Sequence, residues 1–501
     1  FFLIHMFSRI IFHPILFSLL PILFLFQYNI HEVPITDIIV PLTLSVIPVF
    51  ILWLPLKFVL GYKKSALITS SIVLLFIVFS NLHHLLLNQQ DLLLQLIGKT
   101  SILGTIFSVF AIIIIIFIIK RKSTTNVTPP MNIMSVTIVG ILLISILGYY
   151  VANPVDYTIS DYAEIKIPIF HHTEKPDVYM IVLDEFAGKN TLRIDFDYNL
   201  ENFEKNLNER GFVTPSQSYS NYADTAFSTP SFMNMIYLDF LVDELGVDSN
   251  DIHLPDRMRQ ENIVMKILKA NDYNITTFYG GMGIVPNVHL IDEYLCKFGT
   301  INPDLRDNFV LTYMPFNYFT EMFLKTHQYE KLECVFDTIN NNKFQQAEPK
   351  FVHAHLRLPH YHYIYDEHGN RMFDKEDGDK VAFLQQTKFA EKKIIELVDS
   401  IQARSPDSII IIISDHGFRG EIDWKRSNTQ DHMRGFNVIS AFYFPEHSDK
   451  IPSEISLVNI FRILFNSYFN TDYEILEDRH IWYSHPFPYV QSDVGNAFKD
   501  L

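Results

Sequence analysis

The chain has 501 residues, of which 48% are hydrophobic and 14% aromatic, with a mean hydropathy of +0.12, more apolar than an ordinary soluble protein. Its charge is divided: residues 1–151 carry 8 Lys+Arg and 3 Asp+Glu, and the remainder carries 32 and 53. So acidic a C-terminal part argues against nucleic-acid binding, which needs a basic footprint.

Five segments approach the ~20 apolar residues needed to cross a bilayer. They are Ile10–Tyr28, Ile38–Val59, Ala66–Leu86, Ile102–Ile119 and Ile133–Val151. The chain starts at Phe1, so an initiator upstream is expected; the first segment is too long and wrongly flanked for a cleaved signal peptide. Arg9 precedes the first segment, Lys57, Lys63 and Lys64 lie at the junction of the second and third, and Lys120, Arg121 and Lys122 follow the fourth. The other connections hold Glu32, Asp37, Asp91 and only Lys99. With five spans every basic cluster falls on one side. The N-terminus is therefore expected in the cytoplasm, the spans in the plasma membrane, and everything after Val151 outside. This reading divides the chain into a transmembrane domain (1–151), a tether (152–175, with Pro154 and Pro168) and a globular domain (176–501). The last is long enough for one α/β domain with a full core.

The globular part alternates strand and helix patterns, which predicts a mainly parallel sheet covered by helices on both faces. Asp177–Leu183 is an apolar run that stops at Asp184-Glu185. Asn190–Arg210 reads as an amphipathic helix. Ser220–Ser231 is rich in hydroxyls, and its Thr229-Pro230 suggests the cap and first turn of a helix over Phe232–Leu241. Such a terminus suits a phosphoryl or sulfuryl anion, and simple capping leaves Thr225 unexplained. Tyr273–Phe278 reads as a short strand. Of the two cysteines, Cys296 and Cys334, a bridge outside the cell is compatible with the composition.

Phe351–Leu358 reads as a strand with His353, His355 and Arg357 on one face, consistent with packed polar residues. His360 lies past its end, on the edge expected to hold Asp184, and is the better candidate for substrate contact or acid catalysis. Val381–Ala403 is helical in pattern, and Val438–Phe444 reads as a strand. Ile409–Ile413 is a β-branched run that ends at Ser414-Asp415-His416-Gly417. Carboxyl ends of parallel strands are where chemistry sits in open α/β sheets. Two such strands bring Asp184 and Asp415 together, and like charges that close call for a cation between them. Asp431-His432 follows by a loop that can reach back, although a solvated loop explains it slightly better.

Together these pieces resemble the sulfatase-like branch of the alkaline phosphatase superfamily, and most of all membrane enzymes such as phosphoethanolamine transferases and lipoteichoic acid synthases. The matching residues are Ile181-Val182-Leu183-Asp184, Thr225-Ala226-Phe227-Ser228-Thr229-Pro230 and Asp415-His416-Gly417. The resemblance implies an alkaline-phosphatase-like α/β domain behind a bundle of about five transmembrane helices. It implies zinc or manganese bound by Asp184, Thr225, Asp415 and His416, with Glu185, Ser228 and His432 as additional candidates. Thr225 is then the nucleophile that forms a phospho-threonine, and His360 the acid. The disulfides typical of the phosphoethanolamine transferases are not evident in the sequence.

The chain departs from true sulfatases, which carry Cys/Ser-x-Pro-x-Arg: Ser228-Thr229-Pro230-Ser231-Phe232 has Phe where Arg is expected. Formylglycine chemistry is therefore not expected, and Ser228 is the alternative nucleophile. The expected substrates are phosphate esters of lipid head groups or glycans at the membrane surface, with no nucleic-acid partner. A sulfatase of the same fold and a degenerate, membrane-anchored binding protein are the two rivals.

Overall fold

The computed structural model describes residues 10–30, 35–87, 92–124, 126–152, 165, 167–170, 175–278, 289–296, 317–345, 349–372, 375, 377–424, 426–484, 487–495 and 497–500. Arg9, Glu32, Asp91, Pro154 and most of the tether lie outside the described residues. Two compact units emerge: Phe1–Asp156 with Ile301–Leu324, and Tyr157–Thr300 with Lys325–Leu501.

Long apolar runs make the first unit helical, because a backbone in lipid must satisfy its own hydrogen bonds. Its helices are α1 (His13–Tyr28), α2 (Ile39–Leu60), α3 (Tyr62–Leu87), α4 (Leu92–Gly98), α5 (Thr100–Lys120) and α6 (Thr128–Ala152). Among the described residues four are long and apolar enough to cross a membrane, namely α2, α3, α5 and α6. The fifth expected span, α1, has 16 residues and is shorter than that. Polar side chains lock the bundle. Asn132 Oδ1 accepts from the Phe12 and His13 amides at 3.3 and 3.2 Å, and its Nδ2 donates to Ile10 O at 2.7 Å. The start of α1 is thus capped from α6. Lys64 Nζ donates to Ile119 O at 2.8 Å, which puts the start of α3 beside the end of α5.

The second unit is built on a six-stranded sheet. Its strands are β1 (Val178–Leu183), β3 (Asn274–Phe278), β4 (Glu293–Leu295), β5 (Lys350–Leu356), β6 (Ile409–Ser414) and β7 (Ser440–Tyr443), in the order β4-β3-β5-β1-β6-β7. Neighbours pair in parallel except β7, which runs antiparallel to β6. β2 (Gln217–Tyr219) pairs with β8 (Glu454–Ser456) apart from this sheet. β1, β5 and β6 are buried along their whole length, so their apolar residues need no alternation. One face packs Tyr179, Ile181, Ile410 and Ile412 against α14 (Lys380–Arg404). The other packs Val178, Met180, Val182, Ile409, Ile411 and Ile413 against α9 (Thr225–Asn234), α12 (Ile263–Ala270) and α16 (Ile460–Phe469).

Two helix readings need correction. The stretch 190–210 is two helices, α7 (Lys189–Phe196) and α8 (Glu201–Asn208), because Asp197 takes a left-handed conformation (φ 50°) that ends the first. The helix after the hydroxyl-rich segment starts at Thr225, not at Thr229-Pro230. Asp224 is its cap, accepting from Phe227 N at 3.0 Å, and Pro230 lies inside the helix. That helix ends at Asn234, and α10 (Phe240–Leu245) is separate. Cys296, just after β4, is bonded to Cys334 in α13 (Asn317–Asn340).

Candidate active site

Register decides where the acids stand. Leu183 of β1 pairs with Ser414 of β6 and with Leu356 of β5. The next residues continue the ladder: Asp184 N donates to Leu356 O at 2.9 Å and Asp415 N to Leu183 O at 3.3 Å. Asp184 and Asp415 therefore leave adjacent strands side by side, and both are buried. Ser414 Oγ fastens the two departing loops, accepting from Phe186 N at 2.7 Å and donating to His416 O at 2.8 Å. Glu185 sits in the left-handed region (φ 67°), a strained conformation for a non-glycine residue of the kind that collects at functional sites.

Thr225 reaches the same point from α9. Its hydroxyl donates to Asp415 Oδ2 at 2.6 Å. The other Asp415 oxygen accepts from His416 N at 3.0 Å and from Glu185 N at 3.3 Å. Ser228, one turn further along α9, donates to the Asp415 carbonyl at 2.6 Å and so holds the loop. His416 Nδ1 lies 2.9 Å from Gly417 O, a contact in which Nδ1 carries the hydrogen. Nε2 is then left facing Asp184 Oδ1 at 3.5 Å and Asp415 Oδ2 at 3.9 Å. His355 Nε2 stands 3.6 Å from Asp415 Oδ2.

A divalent metal fits this arrangement. Asp184 Oδ1, His416 Nε2 and both ring nitrogens of His355 are buried without a hydrogen-bond partner. Ligand atoms of Asp184, His355 and Asp415 all lie within 4.8 Å of one another. Burial works against charge on His416, yet Asp415 and Asp184 outweigh it and push it up to about 9. Burial would likewise raise Asp184, but His360, His416 and His355 hold it well below the usual carboxylate range. The carboxylates thus demand positive charge between them, which a metal supplies without a proton.

His360 arrives on the turn after β5, its backbone N donating to Asp184 O at 3.1 Å and its Nε2 3.8 Å from Glu185 Oε2. Burial pushes His360 down to about 3 and Glu185 up to about 7. Arg357 Nε meets His360 Nδ1 at 3.3 Å.

Of the residues singled out in the sequence, Asp184, Glu185, Thr225, Ser228, His360, Asp415 and His416 therefore converge. His432 makes its contacts elsewhere, with Ser427 Oγ at 3.2 Å and the Trp482 ring at 4.7 Å. His355 was read as a packed strand residue and instead faces the acid pair. Its signal was present in the sequence, since it is an odd-numbered β5 residue one position from the strand end. Arg419 was not singled out at all; its backbone N donates to Glu185 Oε1 at 2.7 Å.

No family model matches the sequence, and no curated protein does. Among solved structures, the chain is similar to the C-terminal periplasmic domain of EcEptC from Escherichia coli, at 12% identity over 66% of this chain and 97% of that one, with a TM-score of 0.40. The same domain in complex with Zn gives 11% identity, 61% and 87% coverage and a TM-score of 0.39. The phosphonate monoester hydrolase of Agrobacterium radiobacter gives 12% identity, 62% and 80% coverage and a TM-score of 0.35.

Proposed function

We propose that the protein is a membrane-anchored, metal-dependent transferase or hydrolase of phosphate esters that works through a phospho-Thr225 intermediate. The observation that carries this reading is the 2.6 Å hydrogen bond from the Thr225 hydroxyl to Asp415, at the point where two acid-ended parallel strands meet. Asp184, Asp415, His416 and Thr225 would hold the metal, with His355 as a further donor. When bound, the metal lowers the pKa of a coordinated hydroxyl and neutralises charge on the transferred group.

The chain's own residues supply the rest. Thr225 donates to Asp415, so its lone pairs remain for the phosphorus, and its proton leaves by way of Asp415. Thr225 opens α9, whose first amides and dipole favour an anion. The Thr225 Oγ–P bond forms while the P–O bond to the leaving alcohol breaks. Glu185, pushed up to about 7 by burial, holds a proton beside His360, and His360, pushed down to about 3 and so uncharged, passes it to the leaving oxygen. Water or an acceptor hydroxyl then attacks the phosphorus and releases Thr225. Lipid head groups or glycans are the substrates that suit a site tethered to a membrane.

The membrane reading follows the same logic. The contact from Lys64 to Ile119 brings Lys63-Lys64 and Lys120–Lys122 to one end of the helices. A single basic end marks the cytoplasmic face, with the catalytic unit on the other.

Mass spectrometry of the protein after turnover of p-nitrophenyl phosphate tests the chemistry. The expected result is an adduct on Thr225, no adduct and no turnover in Thr225→Ala, and little turnover of p-nitrophenyl sulfate. Retained turnover in Thr225→Ala would move the nucleophile, and preference for the sulfate ester would make the protein a sulfatase.

A further inference from the structure

We propose that Ser228 is the positioning residue of the nucleophile, holding Thr225 in place while Thr225 carries the phosphoryl group. This rests on the reading above. It gives a role to the hydroxyl that the sequence offered as an alternative nucleophile.

Residues three apart on a helix share a face, so Thr225 and Ser228 both meet the loop after β6. Each bonds to the same residue there. Thr225 donates to Asp415 Oδ2 and Ser228 to the Asp415 carbonyl, both at 2.6 Å. Both side chains are buried. Asp415 is itself held on either side, because Ser414 Oγ accepts from Phe186 N at 2.7 Å and donates to His416 O at 2.8 Å. Two attachments to one fixed residue set how α9 is turned about its axis. They thereby set where the Thr225 oxygen points.

The start of α9 needs such an anchor. Pro230 lies inside the helix and has no amide hydrogen, so the rung that would end on the Ala226 carbonyl is missing. The turn that carries the nucleophile is therefore less braced by its own backbone than an ordinary first turn.

The two bonds to Asp415 part company during the reaction. As the Thr225 Oγ–P bond forms, the Thr225 proton passes to Asp415 and the P–O bond to the leaving alcohol breaks. Phospho-Thr225 then has no hydrogen to donate. The Ser228 bond ends on a main-chain carbonyl, which takes up no proton, and so it persists. It keeps the first turn of α9 on the Asp415 loop while water or an acceptor hydroxyl attacks the phosphorus. The Thr225 Oγ–P bond then breaks, and Thr225 takes its proton back from Asp415. The same contrast argues against Ser228 as nucleophile, since its acceptor cannot remove its proton.

The test uses the full chain in detergent with Zn2+ or Mn2+ and p-nitrophenyl phosphate. It compares wild type, Ser228→Ala, Ser228→Cys and Ser231→Ala. Ser231 is the control: it is buried in the same helix, but its hydroxyl donates to Ile236 O at 2.7 Å, away from Asp415. Quenched-flow mass spectrometry follows formation and decay of the Thr225 adduct. Ser228→Ala is expected to lower kcat about 10–100-fold with KM within about threefold, and to slow adduct decay more than adduct formation. Ser228→Cys keeps the size and a weak donor, and should fall between Ser228→Ala and wild type. Ser231→Ala should keep wild-type kcat and adduct decay. If Ser228→Ala does not fold, Ser228→Cys decides by the same comparison with wild type.

Wild-type kcat and adduct decay in the Ser228 variants would overturn the proposal and leave the function standing. Equal losses in Ser228→Ala and Ser231→Ala would reduce Ser228 to general helix stability, and a raised KM at unchanged kcat would make it a substrate-binding group; either result overturns the proposal. So would an adduct on Ser228 in Thr225→Ala. Wild-type protein that forms no adduct on any residue would sink the function and this inference together.

Discussion

At the scale of single residues, Asp415 joins three segments: the loop after β6, the loop after β1 and α9. Its carboxylate takes the Thr225 hydroxyl from α9, the Glu185 amide from the β1 loop and its own neighbour's amide. Asp415→Asn turns one of those acceptors into a donor and removes a charge from the acid pair. Metal content by mass spectrometry is expected to fall, with affinity lowered at least about 100-fold; unchanged content would remove Asp415 from the site. Glu391 shows a different use of a half-buried acid. Tyr198 Oη donates to both of its oxygens at 2.9 Å, and burial pushes its pKa from 4.5 up to about 7. The folded chain then keeps a proton that the unfolded chain loses between those values. Stability from this group is full below about pH 4.5 and is lost as pH rises to about 7. Glu391→Gln keeps an acceptor and abolishes the titration. Its stability relative to wild type, read from thermal unfolding by tryptophan signal, is expected to rise by about 1–2 kcal/mol between pH 5 and 7.5 and then level. A difference that stays flat across that range would show that the carboxyl does not titrate there.

At the scale of elements, the strands were legible and the loops were not. Ile409–Ile413 and Val178–Leu183 announce themselves because full burial on both faces removes any need for alternation. Once their parallel register is granted, Asp184 and Asp415 must meet. The start of α9 differs from the reading because Pro230 suits a first helical position, although Asp224 is the stronger cap. Tertiary contacts of Thr225 and Ser228 with Asp415 decide the matter, and sequence alone does not show them. His355 was passed over for a similar reason: alternation gives its face, not what lies opposite. Gly417 shows how tightly the loop is seated. Its amide donates to Gly435 O at 2.8 Å, and a Cβ on it would lie 2.0 Å from Arg434 O and 2.7 Å from Asn437 O. Both obstacles are backbone, so Gly417→Ala must displace either the loop or α15 (Thr429–Phe436). A loss of about 2–3 kcal/mol and weaker metal binding are expected. A variant with wild-type stability and metal affinity would mean that the two segments are not packed this way. In the first unit the comparable element-to-element bond is Asn132, which caps α1 from α6. Asn132→Ala leaves buried amides unpaired, and about 1–3 kcal/mol of helix-pair stability should go with it. Faster hydrogen exchange at residues 12 and 13 is the measurement; exchange as slow as wild type would deny the cap.

At the scale of the whole molecule, the disulfide and the membrane reading bear on each other. Cys296 and Cys334 are bonded across a sequence separation of 38, and their Cα atoms stand 5.7 Å apart. Bonds of this kind persist in oxidising compartments and not beside the cytosolic thiol pool. The orientation proposed from the basic residues puts the C-terminal unit away from the cytoplasm. Lysine placement in 1–151 and cysteine pairing in the acidic part are thus two independent grounds for that proposal. A loop of that length constrains the unfolded chain by about 3–4 kcal/mol in the entropic account. Reduction is therefore expected to lower the unfolding temperature of the C-terminal unit while leaving the helices of the first unit unaffected. In cells, acid-quenched and denatured protein should show both cysteines protected from alkylation until a reductant is added. Free thiols in freshly quenched cells would contradict both the oxidised pair and the outward orientation, because the same compartment decides them.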